Sequence, residues 1–517
     1  MQLSAPVICF TDPALIPVFQ TLRSSPHHTT PSPPTLFVPR PFAELDVWKC
    51  YKPQWQGTHT LDPEPHHTPE LYAVWAAKAF CLEEAARLNP FGSDYFYWCD
   101  IGAFREPPPP AVLATWPDAG LMRQHLGTNK ILLTTVEPLR PTEDVTACFK
   151  HVNRIVGGLW GGHREAIGVW RSAYEQTLLR YFNEGRFAGK DQSIMLSAAL
   201  EYPELVSIVE PPPHNRDRWF FAKQLLCTPP LSPWRNDTTY TRPPRPFVAI
   251  QLTGGLGNQL FQVAVALITV RRTGRRLWLL PHTQAPTDTQ RPTYWDTILA
   301  RFRHCLTPPA NPNSHPLLRI SEPRGPTVWH PITVPDNHSV LLSGYFQSGR
   351  YFSDPADREL IRSVFRPPVG AFKPPMGPKD RTVVVHARRG DYCAAAEHHG
   401  PQPVTYYTAA MARMRELMAP VKPLFLLTAD DPAFWWEEVI PCLSAEDEFE
   451  ILMEPNDVAA FTALQQFHHF IIANSTFSWW CAVMAQEAKH VIAPRQWFGP
   501  AGPREWDDIY EPSWEQV

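Results

Sequence analysis

The sequence predicts an α/β protein carrying two modules in one chain. Three observations support this reading. Apolar, β-branched or aromatic runs end repeatedly in aspartate, glycine or arginine, as strands do when functional groups gather at their carboxyl ends. One such run, Phe247-Val248-Ala249-Ile250-Gln251-Leu252, passes directly into a glycine-rich turn and a helical pattern. Residues 211–246 hold Pro211-Pro212-Pro213, Pro229-Pro230 and Pro243-Pro244 with few periodic apolar positions, a stiff composition typical of a boundary. The expected division is a first domain over 1–215, a linker over 216–246 and a second domain over 247–517.

At 517 residues and 44% hydrophobic content the chain can bury several cores. Its net charge of -4 and the lack of any basic block argue against a nucleic-acid partner. Ten cysteines without a Cys-x-x-Cys pair read as reduced thiols in a soluble, cytoplasmic protein. The N-terminus shows no signal-peptide pattern. Phe247 to Val270 carries no charge and is long enough to span a bilayer. It also contains Gln251, two adjacent glycines, Asn258, Gln259 and Gln262, so a strand, a loop and a buried helix explain it better. No transmembrane segment is expected, which leaves peripheral membrane association open.

The first half opens with Val7-Ile8-Cys9-Phe10 and Thr35-Leu36-Phe37-Val38, both strand-like. From Pro69, residues Leu71, Val74, Trp75, Lys78, Ala79, Leu82 and Ala85 repeat at helical spacing, and Asn89-Pro90 ends the pattern. The aromatic run Tyr95-Phe96-Tyr97-Trp98-Cys99 delivers Asp100 at its end, where a carboxylate can hold a divalent cation or a sugar hydroxyl, or merely cap a turn. Gly157-Gly158-Leu159-Trp160-Gly161-Gly162-His163 reads as a flexible loop leading into a helix over about 165–182. Gly189-Lys190-Asp191-Gln192 suggests backbone approach to a ligand, with Asp191 a candidate acid, base or metal ligand; the alternative is an ordinary helix start.

Together with Pro-Glu-Leu-Tyr-x-x-Trp at 69–75, these stretches make roughly residues 1–215 resemble the HtrL/YibB-like family. The resemblance implies a nucleotide-sugar-dependent transferase with a GT-A-like, Rossmann-type domain. That domain would be incomplete, because the chain starts where the family's second strand would stand. It also implies a site around Asp100, His163, Lys190, Asp191 and Gln192, with manganese as a cation that Asp100 can hold.

In the second half, the strand at 247–252 leads to Gly254-Gly255-Leu256-Gly257-Asn258-Gln259, a turn that aims backbone N–H groups and a helix N-terminus at an anion or sugar. It is neither a Walker loop nor a dinucleotide fingerprint. Thr382-Val383-Val384-Val385 empties into His386-Ala387-Arg388-Arg389-Gly390-Asp391, where two guanidinium forks match phosphate oxygens. Leu424-Phe425-Leu426-Leu427-Thr428-Ala429 ends in Asp430-Asp431, and Phe470-Ile471-Ile472-Ala473 in Asn474-Ser475-Thr476-Phe477-Ser478.

These four motifs, in this order over about 247–500, resemble glycosyltransferase family 11, the α-1,2-fucosyltransferases. Thr428-Ala429 and Cys481 depart from that family's usual residues. The resemblance implies a GT-B fold of two Rossmann-like lobes, GDP-β-L-fucose as donor, a galactoside glycan as acceptor, inversion at the anomeric carbon and no cofactor for fucosyl transfer. Arg388 would neutralise the GDP leaving group, with Arg389 and Asp391 positioning it. Asn474, Ser475 and Ser478 would meet phosphate or ribose, and Asp430 or Asp431 the guanosine. Gly254, Gly255, Asn258 and Gln259 would line the acceptor cleft. No general base is identifiable: His386 is a candidate, but a histidine at a strand end is more often a packed core residue. Rival readings are transfer of another GDP-deoxyhexose, or a glycan-binding scaffold, which would have no reason to keep Arg388-Arg389-Gly390-Asp391 intact.

Overall fold

The computed structural model describes residues 5–23, 34–104, 116–140, 143, 149–213, 215–228, 230–236, 245–281, 294–309, 312–366, 377–454, 456–485 and 488–517. The chain is α/β and divides into two compact units, Met1–Pro243 with Arg301–His304, and Pro244–Ala300 with Cys305–Val517. Part of the expected linker, 237–244, and the end of the aromatic motif at Arg105 lie outside the described residues.

In the first unit, strands β1 (Val7–Thr11) and β2 (Thr35–Pro39) pair in parallel as a separate ribbon. The main sheet joins β3 (Tyr95–Cys99), β4 (Ile131–Thr134), β5 (Leu159–His163) and β6 (Val206–Val209) in the order β3-β5-β4-β6. Both neighbours of β5 run antiparallel to it, so this is a mixed sheet and not the uniformly parallel one a Rossmann-type domain predicts. The glycine run read as a flexible loop is therefore a central strand. Its glycines explain why. A Cβ on Gly161 would lie 2.1 Å from the Phe96 carbonyl oxygen, and one on Gly162 2.5 Å from that of Lys130. Small residues let both neighbours close on β5, a packing signal that composition alone presents as flexibility.

The helix predicted from Pro69 spans Pro69–Leu88. Thr68 accepts the Leu71 N–H, proline takes the first helical position, and Asn89 ends the helix in the left-handed region at φ 37°. Its Ala73, Ala76 and Ala77 share one core with Trp170 and Ala173 of the helix Arg164–Asn183. The expected linker, up to Pro243, also falls in this unit. Phe221, Ala222, Leu225 and Leu226 are buried against Trp116 and Val209, which the proline count masked.

The second unit holds two parallel sheets. Strands β7 (Phe247–Gln251), β8 (Arg276–Leu280), β9 (Leu317–Ser321) and β10 (Ser339–Ser343) are ordered β8-β7-β10-β9. Strands β11 (Thr382–Ala387), β12 (Leu424–Ala429), β13 (Glu448–Ile451), β14 (His469–Ile471), β15 (His490–Ala493) and β16 (Glu515–Gln516) are ordered β13-β12-β11-β14-β15-β16. All pairs are parallel, and β11 and β12 are almost wholly buried, which is why their sequences are continuous apolar runs and do not alternate. The uncharged stretch from Phe247 is β7 followed by the helix Leu256–Thr273, and among the described residues no helix is long and apolar enough to cross a membrane.

Two helices join the lobes of this unit. Phe261, on the helix Leu256–Thr273, packs on Trp479 at 4.5 Å and Trp480 at 5.0 Å, both on the helix Thr476–Met484. All three side chains are fully buried. Such aromatic pairs add about 0.5–1.5 kcal/mol beyond the area they bury.

Candidate active site

The larger sheet of the second unit has one point where the strand order reverses, between β11 and β14. Loops leaving the carboxyl ends of such strands diverge and leave a crevice, where open α/β sheets bind ligands. Arg388 leaves β11 and Asn474 follows β14, so the crevice of the larger lobe lies between them.

Arg388 is held by two carboxylates and a ring. Its Nη2 donates to Asp391 Oδ1 at 2.6 Å, its Nη1 lies 3.0 Å from Asp430 Oδ2, and its guanidinium sits 5.6 Å from the Tyr392 ring centre. Tyr392 in turn donates through its hydroxyl to the Asn474 carbonyl at 3.2 Å, tying the two sides of the crevice together. About a quarter of the Arg388 side chain stays exposed, at 24%. Arg389 is anchored elsewhere, over the Phe434 ring at 4.1 Å and on the Gln402 carbonyl at 3.3 Å.

Asp430 also accepts the Arg389 backbone N–H at 2.7 Å. Both its oxygens therefore serve the arginine loop, where the resemblance implied a guanosine contact. Asp431 accepts the Ala433 N–H at 3.2 Å in an exposed turn. His386 is buried against Phe477, and burial, with Arg388 adding to it, pushes its pKa down to about 3. Its imidazole is neutral and a weak proton acceptor, the behaviour of the packed core histidine that a strand end favours.

Asn474 is buried and donates to the carbonyls of His399 at 2.6 Å, Gly400 at 3.1 Å and Trp497 at 2.9 Å, so its amide ties two other segments of the lobe to its own. Ser475 occupies the N-cap of the helix Thr476–Met484 but makes no side-chain cap bond, and Ser478 donates to the Ser475 carbonyl at 3.3 Å. Gly255 occupies the same position before Leu256–Thr273 and has no side chain to cap with. Both helices thus present N-terminal N–H groups and the positive end of a helix dipole without a side-chain acceptor.

The two helix starts meet. A Cβ on Gly257 would lie 2.4 Å from the carbonyl carbon of Thr476 and 2.6 Å from the nitrogen of Phe477. Asn258 Oδ1 accepts from Thr476 Oγ1 at 2.8 Å and from Gln347 Nε2 at 3.0 Å, and Gln259 Nε2 donates to the Gly254 carbonyl at 2.9 Å. Gly254, Gly255, Asn258 and Gln259 are therefore brought together with Thr476 and, through Tyr392 and Asn474, with Arg388. Gly257→Ala should cost about 1–3 kcal/mol by overpacking this joint. Calorimetry should show the loss as a lower melting temperature of the second unit.

Glu322 lies beside this joint. It accepts the backbone N–H groups of Tyr345 at 2.7 Å and Phe346 at 2.6 Å. Burial pushes its carboxyl up from the ordinary 4.5 to about 7, and the two amides pull the other way. The native carboxyl then holds its proton more tightly than the unfolded one. Its contribution to stability is full below pH 4.5 and is lost as pH rises through about 7. The melting temperature of the second unit should fall across that window, and Glu322→Gln should flatten the fall.

In the first unit, Asp100 follows β3 as expected and accepts from the Trp98 indole at 2.6 Å and from Lys78 Nζ at 3.3 Å. The Lys78 ammonium also lies 3.1 Å from Asp191 Oδ2 and donates to the Gly157 carbonyl at 3.1 Å. Burial opposes the charge on Lys78, and the carboxylates of Asp191 and Asp100 outweigh it, holding its pKa above the ordinary range. Asp191 starts the helix Asp191–Glu201 and accepts the Gln192 N–H at 2.8 Å. Gln192 donates to the Ile155 carbonyl at 2.6 Å, and Lys190 pairs with Glu64. His163 does not join this group. It sits at the far end of β5, opposite Tyr95, and accepts the Glu165 N–H at 3.3 Å as a helix cap. The manganese expected at Asp100 does not fit, because a lysine ammonium already bridges Asp100 and Asp191.

Residues 325–517 match the family model for glycosyl transferase family 11. The O-antigen biosynthesis glycosyltransferase WbnK of Escherichia coli is 24% identical over 48% of this chain and 93% of its own length. A galactoside 2-alpha-L-fucosyltransferase of Caenorhabditis elegans is 30% identical over 29% of this chain, and an alpha-1,2-colitosyltransferase of Escherichia coli 27% identical over 31%. The chain spans 44% and 57% of the length of those last two relatives.

The second unit is thus a glycosyltransferase, which implies a nucleotide-sugar donor and a glycan acceptor. The family 11 match takes in Arg388, Asp391, Asp430 and Asn474, while Gly254 to Gln259 precede it. Sequence reasoning missed Tyr392, Thr476 and Gln347 as site residues. Tyr392 directly follows the arginine motif and was legible there. Thr476 reads as a helix cap, and no motif marks Gln347.

Proposed function

We propose that the second unit transfers L-fucose from GDP-β-L-fucose to a galactoside hydroxyl in α-1,2 linkage, with inversion and without a metal. The observation that carries this reading is the placement of Arg388, braced by Asp391 and Asp430, beside the uncapped start of the Thr476–Met484 helix at the β11/β14 reversal. We read the two parallel sheets as the lobes of a GT-B fold. As the acceptor hydroxyl oxygen attacks the anomeric carbon and gives up its proton to solvent, the bond from that carbon to the β-phosphate oxygen breaks and GDP leaves with added negative charge. Arg388 and the two helix N-termini supply fixed positive potential where that charge appears, at no reorganisation cost. Asp430 and Asp391 position the arginine, and Asn258, Gln259 and Gln347 shape the acceptor side. The names of the fucosyl and colitosyl relatives support the sugar class. The colitosyltransferase relative also favours a second reading, transfer of another GDP-deoxyhexose through the same residues.

The pocket reading predicts that GDP raises the melting temperature of the full chain with EDTA present. The gain is about 2.7 kcal/mol at a hundredfold excess over Kd. No rise with GDP, or a rise that needs manganese, would remove the metal-free donor site.

A further inference from the structure

We propose that the first unit carries a saccharide-binding pocket of its own, which takes one sugar ring without a metal ion. The Lys78–Asp100–Asp191 cluster forms the floor of a cavity of about 260 Å³, with Trp75, Trp219 and Asn153 among its walls. Its volume is below the roughly 300–1,000 Å³ of pockets for drug-sized ligands. A single hexose ring is the scale of ligand this space holds.

Charge narrows the ligand further. Lys78 is committed to Asp100 and Asp191, and Lys190 to Glu64, so the two ammonium groups face three carboxylates. A phosphate or diphosphate would meet net negative charge. Between Asp100 and Asp191 a divalent cation would have to displace the Lys78 ammonium, whose charge the two aspartates stabilise. A donor-rich neutral ligand meets no such penalty. Asp100 keeps 37% of its side chain exposed, and ionised carboxylates accept from hydroxyl groups. Asn153 Oδ1 is buried with no hydrogen-bond partner among the described residues, an acceptor waiting for a donor.

The remaining wall is aromatic. Trp219 is 46% exposed at the cavity, an unusual place for a large apolar ring, and Trp75 is half-buried. Exposed indole beside carboxylate and amide acceptors suits a ligand with an apolar face and a rim of hydroxyls. A pyranose has both. This pocket does not depend on the fucosyl-transfer reading of the second unit.

The test is saturation-transfer NMR on the full chain with EDTA and saturating GDP. The probes are the methyl glycosides of β-D-galactose, β-D-glucose, N-acetyl-β-D-glucosamine and α-L-fucose. At least one should bind, and Trp219→Ala should weaken it about tenfold, the scale of one lost aromatic contact. Asp100→Asn should weaken it too, with the melting transition of the first unit retained in both variants as the control for folding. If Asp100→Asn unfolds the unit, the exposed Trp219 carries the test. No glycoside binding, binding that appears only with manganese, or binding indifferent to Trp219→Ala would overturn the proposal.

Discussion

Arg388→Ala should lower kcat of sugar transfer by about 10²–10³, the range for removing one preorganised donor from a transition-state anion site. The guanidinium lies 2.6 Å from Asp391 Oδ1 and 3.0 Å from Asp430 Oδ2. It therefore needs no rearrangement to meet the charge that grows on GDP. Lysine does not substitute for it, since a point charge cannot span two carboxylates and a phosphate at once. Arg388→Lys should recover only a small part of the loss. The fold should survive both changes, because the side chain is partly exposed and its carboxylate partners border the crevice. Asp430→Asn should reproduce much of the defect through the arginine it braces, and rate measurements with GDP-fucose check all three.

Lys78→Met should destabilise the first unit by about 3–5 kcal/mol, the cost of removing one partner from a buried ion pair. Lys78 and Asp191 are each only 8% exposed at the side chain. Without the ammonium, Asp191 must stay buried as an unpaired carboxylate or bind a proton. Burial already pushes the Asp191 carboxyl above its ordinary range, against the pull of Lys78, so the variant should take up that proton more readily. The deficit should then be larger at pH 8 than at pH 5, read as the difference in melting temperature of the first unit. A pH-independent deficit would mean that packing, not charge, is what Lys78 supplies.

The second unit was the more legible half from sequence, for a physical reason. Its strands are buried on both faces, so they appear as unbroken apolar runs that end where the chemistry begins. Arg388, Asp391 and Asn474 stand at the ends of such runs, and the family resemblance is what marked them as site candidates. Their division of labour could not. Asp430 braces arginines and Asn474 pins backbone carbonyls, roles that depend on which neighbours the sheet order delivers. His386, at a strand end where a packed core histidine is the commoner case, is indeed buried against Phe477.

In the first half, the helix Pro69–Leu88 was read nearly to the residue, because Thr68, Pro69 and Asn89 mark its ends by local chemistry. The central strand β5 has the composition of a loop. Gly161 and Gly162 serve close strand approach, a long-range cause that no local pattern shows. Lys78 was counted only as one position in a helical repeat, and its partner Asp191 lies more than a hundred residues away.

The measurement that tests the central claim most directly is product analysis. The full chain is incubated with GDP-fucose and a methyl β-galactoside in EDTA, and the product linkage is assigned by NMR. The account predicts an α-linked fucose on the 2-hydroxyl, formed without added metal and lost in Arg388→Ala. A β-linked product, dependence on a divalent cation, or undiminished turnover in Arg388→Ala would contradict it.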